Sequence, residues 1–206
     1  MKVCDRSRRL RWCGPGSGGG LPMATAAIAG ASTGRGGRGS HGERAIAALQ
    51  RFAECEVGVG TVLAVAQAER AIAAGARFLF APHWDAAVGT CCLRAGVPYI
   101  PGAFTPTEIW QAWEGGGTAV KVFPIQTAGG RAYLRCVRGV YPQIPLIPTG
   151  GVTRANATAL LQEGAIAVGV AGDLFPAAAV QAQNWAAIAE RCRTFLASLP
   201  AALEPG

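Results

Sequence analysis

At 206 residues, half of them hydrophobic, the chain is long enough for one domain with a sizeable core, and this composition excludes disorder as its overall state. The net charge of +7 would suit a nucleic-acid partner, but Lys2, Arg6, Arg8, Arg9, Arg11, Arg35 and Arg38 face only Asp5 within residues 1–40, which leaves about +1 for the remainder. The basicity therefore belongs to an N-terminal segment and argues against a nucleic-acid surface, and no stretch is long and apolar enough to span a bilayer.

In chain order, residues 1–40 stand apart. Gly14–Gly20 and Thr33–Ser40 are glycine-rich with little to bury, so this segment is expected to be disordered or atypical. Ser7-Arg8-Arg9 and the small residues Met23–Ala31 bear a faint likeness to an export or transit signal; the plainer reading is a disordered extension, or a start assigned too early with Met23 as the true one. A helix is predicted over Glu43–Glu54, then a strand over Glu56–Val59 and a helix over Ala66–Ala74 stopped by Gly75. A strand at Arg77–Ala81 precedes a helix at Asp85–Ala95 stopped by Gly96, and Pro98–Pro101 is the next strand. Thr105 or Thr107 caps a helix with Pro106 in its first turn, ending in Gly115–Gly117. The run Thr118–Pro124 holds a fourth strand. After it come a helix at about Gly130–Val140, a strand at Leu146–Thr149, a helix at Arg154–Glu163 stopped by Gly164, a strand at Ile166–Val170 and a terminal helix at about Val180–Leu199.

Short apolar strands alternating with helices predict a parallel sheet covered on both faces, either doubly wound or closed as an eight-stranded barrel. Gly58-Val59-Gly60-Thr61-Val62-Leu63 lacks the third glycine of a dinucleotide fingerprint, and no acidic residue stands at the ribose position. Polar residues and glycines recur instead at the C-terminal ends of the strands, which is where a barrel assembles its site. The α/β domain is assigned to residues 41–200, with 201–206 as a tail.

Cysteine and histidine usage narrows the chemistry. Seven cysteines form no C-x-x-C pair, and Cys91 and Cys92 are adjacent, which is poor geometry for a mutual disulfide. Cys136 and Cys192 fall in helical patterns and read as small buried hydrophobes. This usage fits a reducing cytosol and supplies no metal site, while His41 and His83 are too few and too far apart for a polyhistidine centre. Lys121 is the residue that points to a reaction. It sits inside Ala119-Val120-Lys121-Val122-Phe123, where burial strips water from the ammonium and lowers its pKa. A neutral amine attacks carbonyls, and the Schiff base it forms is an electron sink for making or breaking a carbon–carbon bond.

The ordered set V-G-V-G-T-V-L, Y-I-P-G-A-F-T-P-T-E-I, A-V-K-V-F-P, I-P-T-G-G-V and N-A-T-A-L-L-Q-E-G-A-I-A-V-G resembles the bacterial 2-keto-3-deoxy-6-phosphogluconate / 4-hydroxy-2-oxoglutarate (KDPG/KHG) aldolases, from about Gly42 to Leu199. The resemblance implies a class I aldolase on a (β/α)₈ TIM-type barrel, homotrimeric and cytoplasmic, in carbohydrate metabolism of the Entner–Doudoroff kind. It implies Lys121 as the catalytic Schiff-base lysine and no cofactor beyond that covalent imine. Thr61, Pro82, Phe123, Thr149, Gly150 and Gly151 then contact the keto acid, and Gly169 and Gly172 its phosphate. The partner is a small keto acid, with no nucleic acid and no membrane.

Two departures keep alternatives open. The family's general base is a glutamate in E-V-T on the second strand, and an arginine in L-R also belongs to its site. Residues 1–40 contain Leu10-Arg11 but no E-V-T, so the first two strands of the barrel are absent or unrecognisable. Asp173 follows Gly169-Val170-Ala171-Gly172 where the family has a serine, and its charge is expected to repel a phosphate dianion. The chain is therefore either such an aldolase, an impaired or inactive paralogue without its base, or a phosphate-ligand-binding barrel of other chemistry.

Overall fold

The computed structural model describes residues 46–51 and 56–199. Residues 1–40, most of the helix predicted at Glu43–Glu54, the two missing strands and the tail at 201–206 lie outside them; residues 46–49 are helical. The elements that follow are α1 (Val65–Ala73), β1 (Leu79–Phe80), α2 (Ala86–Ala95), β2 (Tyr99–Ile100), β3 (Gly102–Ala103), α3 (Pro106–Glu114), β4 (Val120–Val122), α4 (Ile125–Ala128), α5 (Gly130–Val140), β5 (Leu146–Pro148), α6 (Ala157–Gln162), α7 (Ala177–Gln181) and α8 (Trp185–Ser198).

All the pairings are parallel and run in chain order. Val59 bridges Leu79, and β1 pairs with β2 through Leu79↔Tyr99 and Phe80↔Ile100. Pro101, without an N–H, separates β2 from β3. β3 pairs with β4 through Gly102↔Lys121, β4 with β5 through Lys121↔Ile147, and Thr149 bridges Gly169. The described residues thus supply six consecutive parallel positions of a (β/α)₈-type barrel. The predicted strands at Glu56–Val59 and Ile166–Val170 contract to the single bridges at Val59 and Gly169.

The register sorts the side chains into two faces. Val120 and Val122 are fully buried beside Leu146, Ile109, Leu134 and Leu160, in the layer between strands and helices. Each such side chain contributes about 1.5–3 kcal/mol when removed from water. Leu79, Tyr99, Val88 and Ala68 form the equivalent layer on the N-terminal half, and Trp84 packs against both layers. The alternate residues Phe78, Ile100, Ala119 and Ile147, with Phe80 and Ala167 against them, form a separate cluster. That cluster is the barrel interior, and Lys121 continues its face two residues beyond Ala119.

Local chemistry fixes the helix ends. Asp85 accepts the N–H of Val88 at 2.9 Å and caps α2, and Gly96 ends it in the left-handed conformation. Thr105 caps α3 in a full capping box with Glu108, with Pro106 as the first helical residue. The terminal helix predicted as one piece is two, α7 and α8. Gln183 turns at φ 52°, and Asn184 caps α8 by accepting the N–H of Ala187 at 3.1 Å, so a new helix begins there. Cys136 corrects a further expectation: it is exposed, because α5 buries Leu134 and Val137 on the opposite side, while Cys192 is half-buried.

Candidate active site

Lys121 is the middle residue of β4, and its amine reaches the ring of Phe123, just past the C-terminal end of that strand. Its neighbours in register are Gly102 and Ile147. Its stem continues above Ala119 on the interior face, and its Nζ lies 4.1 Å from the centroid of the Phe123 ring. Burial lowers the ammonium pKa from its ordinary value, with no carboxylate acting against it. The side chain is half-buried rather than sealed, so a ketone can reach it.

The loop after β5 closes one side of this mouth. Thr149 sits on the interior face two residues beyond Ile147, and its hydroxyl donates to the Ile147 carbonyl at 3.3 Å. Gly150 and Gly151 follow at φ 85° and 81°, a region costly for other residues. A Cβ on Gly150 would stand 2.9 Å from Phe123 Cδ2 and from Pro124 Cβ, so glycine leaves room for the Phe123 ring against the loop, with the amine over that ring. The carbonyls of this loop are engaged: Thr149 accepts from the Ile125 N–H at 2.8 Å, Gly150 from the Gln126 N–H at 3.1 Å, and Gly151 from Asn156 Nδ2 at 3.0 Å. Among the described residues, no acceptor engages the N–H groups of Gly150 and Gly151. Oriented N–H groups of this kind suit an anion.

The other candidates stand around the same rim. Pro82 is level with Gly102, whose missing Cβ would meet the Pro82 carbonyl oxygen at 2.2 Å. Thr61 follows the Val59 bridge at φ 60°, an uncommon conformation for a β-branched residue, and is exposed. Gly169 touches Thr149 directly: a Cβ there would lie 2.5 Å from Thr149 Oγ1. Gly172 is open, with nothing within 4 Å of its Cβ position. The rim thus holds Lys121, Phe123, Thr149, Gly150, Gly151, Pro82 and Gly169 on neighbouring strand ends, with Thr61 and Gly172 in the loops beyond.

Asp173, expected to oppose a phosphate, is engaged by two arginines. Its carboxylate does not stand free: it accepts the Arg154 N–H at 2.8 Å and Arg154 Nε at 3.0 Å, with Arg191 Nη2 at 3.6 Å. These contacts, the Arg154 N–H first, hold its carboxyl below the ordinary range. Two guanidinium groups thus flank one carboxylate. Sequence pattern does not single out Arg154 and Arg191, because their contacts with Asp173 span 19 and 18 positions; the Asn156 contacts are local, to Gly151 and Thr153.

Asp85 caps α2, and Glu108 accepts the N–H groups of Phe104 and Thr105, both at 2.8 Å, which lowers its pKa. Among the described residues, no group of three His, Cys, Asp or Glu side chains is placed to hold a metal, and no helix is long and apolar enough to cross a membrane.

The comparisons with known proteins agree with this geometry. The family model "KDPG and KHG aldolase" matches residues 36–191. A 2-dehydro-3-deoxy-phosphogluconate aldolase of Treponema pallidum is 43% identical over 54% of this chain and 54% of its own length, so that match spans about half of that relative. A 2-dehydro-3-deoxy-phosphogluconate aldolase of Pseudomonas aeruginosa is 34% identical over 85% of this chain and 81% of its own. The structure of a KDPG aldolase from Legionella pneumophila, holding pyruvate as a covalent carbinolamine intermediate, superposes with a TM-score of 0.66 at 29% identity, covering 74% of this chain and 75% of that one. With the parallel barrel, the lysine on β4 and the glycine loop beside it, these matches make the chain a member of the KDPG and KHG aldolase family.

Proposed function

We propose that this chain is a class I aldolase acting on a 2-keto-4-hydroxy acid of the 2-dehydro-3-deoxy-phosphogluconate or 4-hydroxy-2-oxoglutarate type. The observation that carries the reading is the half-buried Lys121 amine, its pKa lowered by desolvation, beside a loop with two unengaged N–H groups. In this reading the neutral amine adds to the C2 ketone and expels water, leaving a protonated imine. The C4 hydroxyl loses its proton to a base, the C3–C4 bond breaks, and its electron pair moves into the imine to give an enamine as the aldehyde departs. Protonation at C3 and addition of water then return the amine and release pyruvate.

The remaining residues take the parts the resemblance implies. Thr149, Gly150 and Gly151 hold the substrate carboxylate through hydroxyl and N–H groups, Phe123 flanks the reacting carbons, and Thr61 and Pro82 line the opposite wall. Gly169 and Gly172 admit a phosphate close to the backbone. No cofactor is needed, because the iminium supplies the polarisation a metal would otherwise give. We place the enzyme in the cytoplasm as a homotrimer. Light scattering of the purified chain measures the oligomeric state.

Incubation with pyruvate and borohydride tests the reading. One pyruvyl adduct is expected on Lys121 by peptide mass spectrometry, and none in Lys121→Ala. An intact protein that acquires no adduct on Lys121 would falsify the assignment. Because E-V-T is lacking from the sequence, retro-aldol turnover is expected to run about a hundredfold to ten-thousandfold below that of a family member with its base.

A further inference from the structure

Asp173 ties together three parts of the chain that the aldol chemistry itself does not use. It lies one residue beyond Gly172, and Arg154 lies three beyond Gly151. The Asp173 carboxylate receives the N–H and Nε of Arg154, at 2.8 Å and 3.0 Å. Its backbone carbonyl receives Nε and Nη2 of Arg191, at 3.1 Å and 3.0 Å, and Arg191 belongs to α8. At the opposite end, the loop after β5 and the segment at Gly169 are joined by the bridge at Thr149, where the Gly169 N–H donates to the Pro148 carbonyl at 2.8 Å.

The two glycine loops of the rim are therefore pinned at both ends, by backbone at the strands and by Asp173 further out. Among the described residues the N–H groups of Val170, Ala171 and Gly172 have no acceptor, like those of Gly150 and Gly151. An anion bridging the loops needs both sets at a fixed separation, and errors of about 0.5 Å already matter in such constellations. Exposed ion pairs add little to global stability, so the value of this network lies in geometry.

We propose that Asp173 is a positioning residue: by joining Arg154 to Arg191 it sets the spacing of the Gly150–Gly151 and Val170–Gly172 loops, and so the affinity for keto acids that carry a phosphate at the end remote from the ketone. This rests on the aldolase reading of Lys121.

Asp173→Asn separates this role from simple charge. The amide keeps the size and one acceptor but removes the negative charge. If Asp173 acted only as a charge, two unopposed guanidinium groups would bind a dianion more tightly. If it positions the loops, binding weakens.

The measurement is the concentration of 2-dehydro-3-deoxy-6-phosphogluconate that half-saturates borohydride trapping on Lys121, read in parallel with that for pyruvate. Trapping needs no carbon–carbon cleavage, so it is read independently of retro-aldol turnover. The expected result for Asp173→Asn is a rise of about tenfold for the phosphorylated acid, with pyruvate changed less than twofold; a misplacement of about 1 Å can cost up to about a hundredfold. Arg191→Met, acting from the other anchor, is expected to move the same ratio in the same direction, and Asp173→Glu to recover part of the loss. An unchanged or lowered value for the phosphorylated acid in both Asp173→Asn and Arg191→Met overturns the proposal. So does an equal loss for both ligands, which would mark a purely structural role. Absence of a pyruvate adduct in the unmodified protein overturns the aldolase reading as well, and the pyruvate arm shows this separately.

Discussion

Gly150→Ala puts the packing around Lys121 to a quantitative test. The backbone there has φ 85°, and the new methyl would stand 2.9 Å from Phe123 Cδ2, 3.0 Å from its Cε2 and 2.9 Å from Pro124 Cβ. Left-handed backbone costs an alanine about 1–2 kcal/mol. Ordinary carbon contacts begin near 3.4 Å, so the ring has to yield by about half an ångström, and overpacking of this kind costs about 1–3 kcal/mol. The sum, about 2–5 kcal/mol, corresponds to a melting temperature lower by about 4–20 °C for a chain of this size. The same shift moves the ring from its place 4.1 Å from the Lys121 amine, so adduct formation with pyruvate is expected to slow. Gly139→Ala is the matched control. Gly139 lies inside α5 with nothing within 4 Å of its Cβ position, so alanine should stabilise by about 0.5–1 kcal/mol. Differential scanning fluorimetry and the borohydride assay read both variants. Equal melting temperatures for Gly150→Ala and the unmodified protein would refute the packing argument.

Two further outcomes follow from charge. The Lys121 pKa is depressed by burial, so the unfolded chain binds more protons than the folded one between the folded pKa and the ordinary value of about 10.4, and stability from this group rises with pH across that window. Lys121→Met should therefore be more stable than the unmodified protein near neutral pH, by an amount that shrinks as pH rises toward that ordinary value; chemical denaturation at pH 7 and pH 10 checks the sign, and a constant difference would contradict it. Glu108→Ala removes half of the capping box of α3 and should cost about 0.5–2 kcal/mol in urea melts at neutral pH. The Glu108 pKa is lowered, so its stabilising share is lost as pH falls through the folded value, and the gap between variant and parent should close in acid.

What the sequence makes legible here is local. The Thr105-Pro106 entry to α3, the Asp85 cap and the Gly96 stop are written within four residues, and the structure has them where they are expected. The alternation that turns Lys121 away from Val120 and Val122 is equally local, since a strand sends successive side chains to opposite faces. The break at Gln183 is not legible, because the alanine-rich run Ala177–Ala182 and the following helix share one periodic pattern, and only the cap at Asn184 separates them. Cys136 shows the same limit: helical periodicity alone does not fix which side of α5 meets the strands. Asp173 marks the outer boundary of such reasoning. Read alone it is a repulsive charge, whereas the two arginines that engage it stand 19 and 18 positions away.

The interior cluster has a consequence for remodelling the cavity. Its two rings, Phe78 and Phe80, meet edge to face with centroids 5.7 Å apart and come from one strand and the residue before it, while Ala119 and Ala167 contribute only methyl groups from farther round. Ile100 and Ile147 complete the floor below the amine from two further strands, and the entrance is formed by the turns that follow the strands. Depth and aperture are separable variables in this barrel: trimming a ring on β1 would excavate the chamber downward while leaving untouched the turns that greet an incoming molecule.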